Sequence, residues 1–170
     1  SVQAQLRRAQ REIGFTYLHF HGIFDDDMRI YQEHEDGSPW FNFAYADLLF
    51  DFIQEIGLIP HIELGFVPLH LAKNDKTLFD NPNIHICMYN NPEKWQALIQ
   101  ASLSHWIDKY GLSNVRQWRF TVFSMNYVEM TPQAMTLEEY CEMFETVYRT
   151  LKTIDPELKL GGGGCFPSIA

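Results

Sequence analysis

Four stretches with apolar residues at helical spacing alternate with four short β-rich runs, and this alternation constrains the fold more than any other feature of the chain. Leu6, Ala9 and Ile13 form the first stripe in a polar segment from Gln3 to Glu12, and Gly14 follows where a C-cap glycine sits. The run from Phe15 to Phe20 reads as a strand stopped by His21 and Gly22. A loop with the turn residues Asp36, Gly37, Ser38 and Pro39 leads to a second helix. That helix carries Tyr45, Leu48, Leu49, Phe52, Ile53 and Ile56 and closes at Gly57. Ile59 to Phe66 reads as a buried strand, and the polar stretch from Lys73 to Asn91 as irregular backbone.

The third helix holds Trp95, Leu98, Ile99, Leu103, Trp106, Ile107 and Tyr110 and ends at Gly111, before a strand from Trp118 to Phe123. Thr136 and Glu139 form a capping-box pair for the fourth helix, whose face runs through Tyr140, Met143, Phe144, Val147, Leu151 and Ile154 up to Pro156. Leu158 to Leu160 begins a last strand and runs into the glycines from Gly161 to Gly164. The order α-β-α-β-α-β-α-β predicts an α/β fold with parallel strands and helical crossovers. A doubly wound sheet and part of a barrel both fit it. A complete (β/α)₈ barrel needs about 200 to 250 residues, so 170 residues in one segment, 1–170, supply only part of one. Two unpaired sheet edges leave apolar surface in water, which predicts either pairing with a second copy as a homodimer or a longer parent chain.

The charge balance excludes some partners. A net charge of −9 with no basic cluster does not fit a duplex-binding surface. No apolar run reaches the roughly 20 residues of a membrane span. Cys87, Cys141 and Cys165 are few, odd in number and widely spaced, which argues against a disulfide framework and against a zinc site. No signal peptide opens at Ser1, so a reduced, cytoplasmic setting is the expectation. No cofactor is expected either: the glycine run follows a strand and is not a nucleotide-binding fingerprint.

Five segments carry a family resemblance: residues 15–22 (FTYLHFHG), 40–45 (WFNFAY), 50–57 (FDFIQEIG), 60–68 (PHIELGFVP) and 158–162 (LKLGG). In this order and at these separations they resemble family 39 glycoside hydrolases, the β-xylosidase and α-L-iduronidase type. The resemblance implies a (β/α)₈ TIM barrel, with this chain supplying about strands two to five and their helices. It also implies hydrolysis with retention by two carboxylates, one protonating the leaving oxygen and one attacking the anomeric carbon. The family's acid/base lies in a Trp-x-Phe-Glu-x-Trp-Asn-Glu-Pro-Asn pattern. Here Trp118 to Tyr127 keeps the frame, but Ser124 stands for the asparagine and Met125 for the acid/base glutamate. A thioether neither donates nor accepts a catalytic proton. Glu129, just past the strand end, reads as a solvated loop carboxylate rather than a replacement acid, and the nucleophile's strand is expected beyond Ala170.

The resemblance further implies ligand-binding roles for His19, His21, Glu63, Phe66, Ser124 and Asn126. His21 matches a histidine that the family places at a strand's C-terminal end near the sugar; a packed or capped histidine is the plain alternative. His19 stands where the family has arginine, which removes a fixed charge. Glu63 lies inside an apolar strand, where a buried carboxylate needs a reason to be present: either sugar hydroxyls or a structural ion pair. Phe66, with Pro68, is an apolar pocket wall or simply a strand end. Asp25, Asp26 and Asp27 lack calcium-loop spacing and read as a solvated acidic turn. The histidines at 34, 61, 70, 85 and 105 read as surface or packing residues, with no metal site.

These features and the family resemblance together lead to two expectations, beside the plain one of a structural remnant that binds no ligand. One is a degenerate, non-catalytic glycosidase-like domain that binds a xylose-type sugar or oligosaccharide, as the sensor of an AraC-type transcription regulator whose DNA contacts lie in another domain. The other is a β-xylosidase-like retaining hydrolase represented by a fragment.

Overall fold

The computed structural model of the chain describes residues 1–78, 81–124 and 134–162. Four strands, β1 (Tyr17–Phe20), β4 (Ile59–Leu64), β5 (Arg119–Val122) and β6 (Lys159–Gly161), form one parallel sheet in that order. Register aligns His19 with His61, His61 with Arg119, and Arg119 with Lys159, so one row of basic side chains crosses the sheet. Laterally paired residues point to the same side of a sheet, and neighbours along a strand to opposite sides. The sheet therefore has an outer face of Leu18, Phe20, Ile62, Phe120, Val122 and Leu160. Its inner face carries Tyr17, His19, His61, Glu63, Arg119, Thr121 and Lys159.

The helices cover the outer face. α2 (Ala44–Glu55) buries Ala46, Phe50, Phe52 and Ile53, and α3 (Pro92–Tyr110) buries Trp95, Leu98, Ile99, Ser102, Leu103 and Trp106. α3 starts cleanly because Asn91 caps it, accepting from the Lys94 N–H, and Pro92 needs no hydrogen bond at the first turn. α4 (Leu112–Val115) is a short turn after Gly111. α5 (Leu137–Ile154) opens with the expected capping box between Thr136 and Glu139. The core between helices and sheet is aromatic: Trp118 stacks on Phe50 at 5.0 Å, and Trp106 lies parallel to Phe120 at 6.3 Å.

α1 (Val2–Ile13) is amphipathic and ends on Gly14 in the left-handed region, as its spacing predicts, yet none of its residues is buried. It is tied to α2 through Arg7, which pairs with Glu55 and lies over the Phe52 ring. Two expectations need correction. The stretch around Asp36 to Pro39 is not a plain loop but the turn of an antiparallel hairpin, β2 (Tyr31–Glu33) with β3 (Pro39–Phe41). Tyr45 and Leu48 of the expected α2 stripe are exposed, because the helix seats the adjacent face of Ala46, Phe50 and Ile53 on the sheet.

Candidate sugar site

The strand ends on the inner face bring Glu63, His19 and His21 together. Burial of Glu63 follows from its place near the end of β4, between the register partner Thr121 and the chain turning at Gly65. Its side chain is only 7% exposed, and His19 Nε2 stands 3.2 Å from Oε1. Oε2 has no hydrogen-bond partner among the described residues. Burial holds the Glu63 carboxyl above the ordinary glutamate range, and the nearby His21 works against that rise. A buried acceptor left open at a strand's C-terminal end is a place for a donor from outside the chain, and sugar hydroxyls are such donors.

The basic row lies one level below. His19 and His61 rings stand 4.4 Å apart, and Arg119 lies 4.4 Å over the Tyr17 ring, its Nη2 donating to the Tyr17 hydroxyl at 3.4 Å. His61, Arg119, Thr121, Lys159 and Gly161 line a cavity of about 350 Å³ on this face. Burial first, and then the charges of His19 and Arg119, hold His61 below the usual histidine range. The sequence reads His61 as an isolated surface or packing residue; instead it connects the strand-end group to the cavity. Its apolar strand carries no signal for this, which requires the cross-strand register.

The structure assigns the other candidates unevenly. His21 is exposed at the end of β1, with its ring 5.8 Å from Phe66. Phe66 itself is 1% exposed and packs on Phe123, so it supports the site from the core rather than walling it. Ser124 is half-buried two residues past the end of β5. Met125, Asn126 and Glu129 lie outside the described residues.

The acidic turn is a correction. Asp25 is partly buried beside Gly22 and accepts the Phe66 N–H, and burial pushes its carboxyl up to about 6. Asp26 accepts the Leu69 N–H and faces the buried His85 at 3.9 Å. Only a tertiary neighbour such as Phe66 reveals that this turn is not merely solvated. Among the described residues, no group of three or more His, Cys, Asp or Glu side chains is placed to hold a metal ion. No helix among them is long and apolar enough to cross a membrane.

A parallel β/α sheet with helices on its outer face and polar residues at the strands' C-terminal ends has the architecture of a (β/α)₈ barrel wall, with its polar groups where such barrels build their sites. Comparison with known proteins narrows the class: the profile of glycosyl hydrolases family 39 matches residues 2–169, and the chain belongs to this family. It is 37% identical over 158 residues to a β-xylosidase of Caldicellulosiruptor saccharolyticus, covering 93% of this chain and 32% of that one. It is 38% identical over 161 residues to a β-xylosidase of Geobacillus stearothermophilus, covering 92% and 32%. The structure of a family 39 β-xylosidase from Caulobacter crescentus superposes with a TM-score of 0.85 at 32% identity, over 94% of this chain and 35% of that one. The fold is thus part of a (β/α)₈ barrel, and the chain spans about a third of the length of these relatives.

Proposed function

We propose that this chain forms the sugar-holding part of a β-xylosidase-like family 39 barrel and takes a xylose-type sugar against Glu63, with His21 beside it. The observation that carries the reading is Glu63 itself, buried at a strand end with Oε2 unpaired among the described residues. The chain's likeness over more than nine-tenths of its length to two β-xylosidases supports the substrate class. In this reading the chain orients the sugar: Glu63 accepts from its hydroxyls, and the exposed His21 ring donates or accepts beside it. Retaining hydrolysis needs two carboxylates flanking the glycosidic bond.

The identity of residue 125 favours a second reading. With methionine where the family pattern has its acid/base glutamate, proton transfer to the leaving oxygen has no donor at that position. The sugar is then bound and not cleaved, as in the sensor of an AraC-type regulator that works in the cytoplasm and contacts DNA through another domain.

Thermal unfolding with and without xylose and xylobiose, alongside hydrolysis of an aryl β-xyloside, tests both readings. A ligand that binds only the folded state adds about 2.7 kcal/mol of stability at a hundred times its dissociation constant. A rise in the midpoint that Glu63→Gln abolishes is the expected result; turnover of the aryl xyloside selects the enzyme, and its absence in a protein that also carries the nucleophile's strand selects the sensor. No midpoint change with either sugar overturns the binding reading.

A further inference from the structure

The inner face of the sheet runs against the charge of the chain. The protein holds 22 Asp and Glu against 13 Lys and Arg, yet the inner face carries His19, His61, Arg119 and Lys159 against one carboxylate, Glu63. Glu63 has His19 at an ion-pair distance of 3.2 Å. Arg119 and Lys159, in register on adjacent strands, have no carboxylate within such a distance among the described residues. Both line the cavity of about 350 Å³ with His61, Thr121, Gly161 and Gly162, and no acidic residue lines it among the described residues. Thr121, in register with Glu63, stands where the family pattern has a glutamate, so a hydroxyl replaces the carboxylate that would offset this charge. Arg119 is fixed in place by Tyr17: its guanidinium lies over the ring, and Nη2 donates to the hydroxyl at 3.4 Å. Its remaining N–H groups have no acceptor among the described residues. His61 lies in the same field: burial, and then the charges of His19 and Arg119, disfavour its protonated form.

An arginine and a lysine from neighbouring strands, with no anion between them, call for a ligand with more than one negative charge. A phosphate monoester carries a charge of about −1.5 to −2 at pH 7 and three acceptor oxygens, whereas a carboxylate carries a single charge. The arginine fork takes two phosphate oxygens at once, and a lysine supplies a point charge beside it. We propose that this cavity is a phosphate site, in which Arg119 and Lys159 hold the oxyanion and His61 and Thr121 hydrogen-bond at its flanks. Free phosphate and the phosphate group of a phosphorylated sugar share this chemistry. The site lies one level below Glu63 and does not depend on xylose binding there.

Isothermal titration of the 170-residue protein with inorganic phosphate, xylose 1-phosphate and neutral xylose tests this, with circular dichroism confirming the fold of each variant. Inorganic phosphate is expected to bind the wild type, and to bind Lys159→Ala and Arg119→Gln about ten-fold more weakly, the scale of one hydrogen bond to a charged group. Lys159 is exposed, so its alanine variant keeps the fold and serves as the test should Arg119→Gln, which also loses the Tyr17 contact, not fold. Arg11→Ala removes the same charge from α1, none of whose residues is buried, and is expected to bind phosphate as the wild type does. Tighter binding of xylose 1-phosphate than of inorganic phosphate, with the same loss in Lys159→Ala, supports the site and puts the oxyanion on a sugar. Equal binding of the two supports the site for the free ion. No heat with either phosphate compound overturns the proposal, as does equal affinity in wild type and Lys159→Ala or an equal loss in Arg11→Ala. Neutral xylose reports on Glu63 alone: its failure to bind while phosphate binds removes the sugar reading and leaves this site standing.

Discussion

The two faces of the four-stranded sheet come from the same strands in alternation, yet they answer to different demands. The outer face of β5 and its approach, Trp118, Phe120 and Val122, is fully buried against aromatic side chains from α2 and α3. The inner face of the same strand carries Arg119 and Thr121 beside an open cavity. A period of two lets a strand of four residues serve stability with one half of its side chains and chemistry with the other. Substitutions should therefore separate by parity: large stability losses outward, small ones inward, with ligand effects only inward.

Trp118→Ala should give the largest effect. The ring is fully buried and has Phe50 at 5.0 Å, Tyr110 at 5.5 Å and Trp106 at 6.0 Å. Removing such a side chain costs about 3–5 kcal/mol, from lost burial plus the cavity left behind. Urea unfolding measures it, and a loss under about 1 kcal/mol would show that the outer face is not where stability resides.

The outer face is largely legible in the amino-acid sequence, because burial leaves a periodic trace. Helical spacing marks α3 and α5, the pair Thr136 and Glu139 marks where α5 begins, and the apolar runs mark β4 and β5. The hairpin of β2 and β3 is not legible: its strands are three residues long, too short for alternation to show, and Gly37 takes its positive φ in a turn that reads equally well as a loop. α2 misleads because apolar residues occupy two adjacent faces, and only packing decides which is seated. On the inner face the individual residues His19, His21 and Glu63 are visible through their family motif. Their grouping is not, since the His19–Glu63 contact and the His61–Arg119–Lys159 row exist only once β1, β4, β5 and β6 are in register.

Asp25, in the turn that follows β1, sharpens the comparison through pH. Its carboxyl is raised from the ordinary 3.8 to about 6 because burial disfavours the anion. A group whose folded value lies above its unfolded value contributes fully below the unfolded one, and that contribution is lost as pH rises through the folded one. Holding the Asp25 anion therefore penalises the fold above pH 6. Two units at about 1.4 kcal/mol each set an upper figure of about 3 kcal/mol, reduced by the partial exposure of the side chain. Asp25→Asn keeps an acceptor for the Phe66 N–H and removes the charge. The variant is expected to unfold at a higher temperature than the wild type at pH 7.5, with the gap closing between pH 6 and pH 4. Equal midpoints at pH 7.5 would mean that the anion is solvated after all, as the turn's sequence suggests.

Lys159 gives the smallest expected change and the most direct test of the inner face. It follows the buried Leu158 in the chain, yet it is exposed, beside the cavity it shares with His61 and Arg119. Exposed substitutions away from packed features stay within about 0.5 kcal/mol, so Lys159→Ala should leave the unfolding midpoint of the 170-residue chain almost unmoved. The contrast with Trp118 on the outer face would then be at least about six-fold in free energy. A loss above about 2 kcal/mol would break the comparison in an informative way. It would mean that Lys159 is covered and paired in solution, since removing one member of a buried pair strands its partner's charge. The inner face would then behave as a closed barrel lumen in this chain, formed against a second copy, and the midpoint would rise with protein concentration.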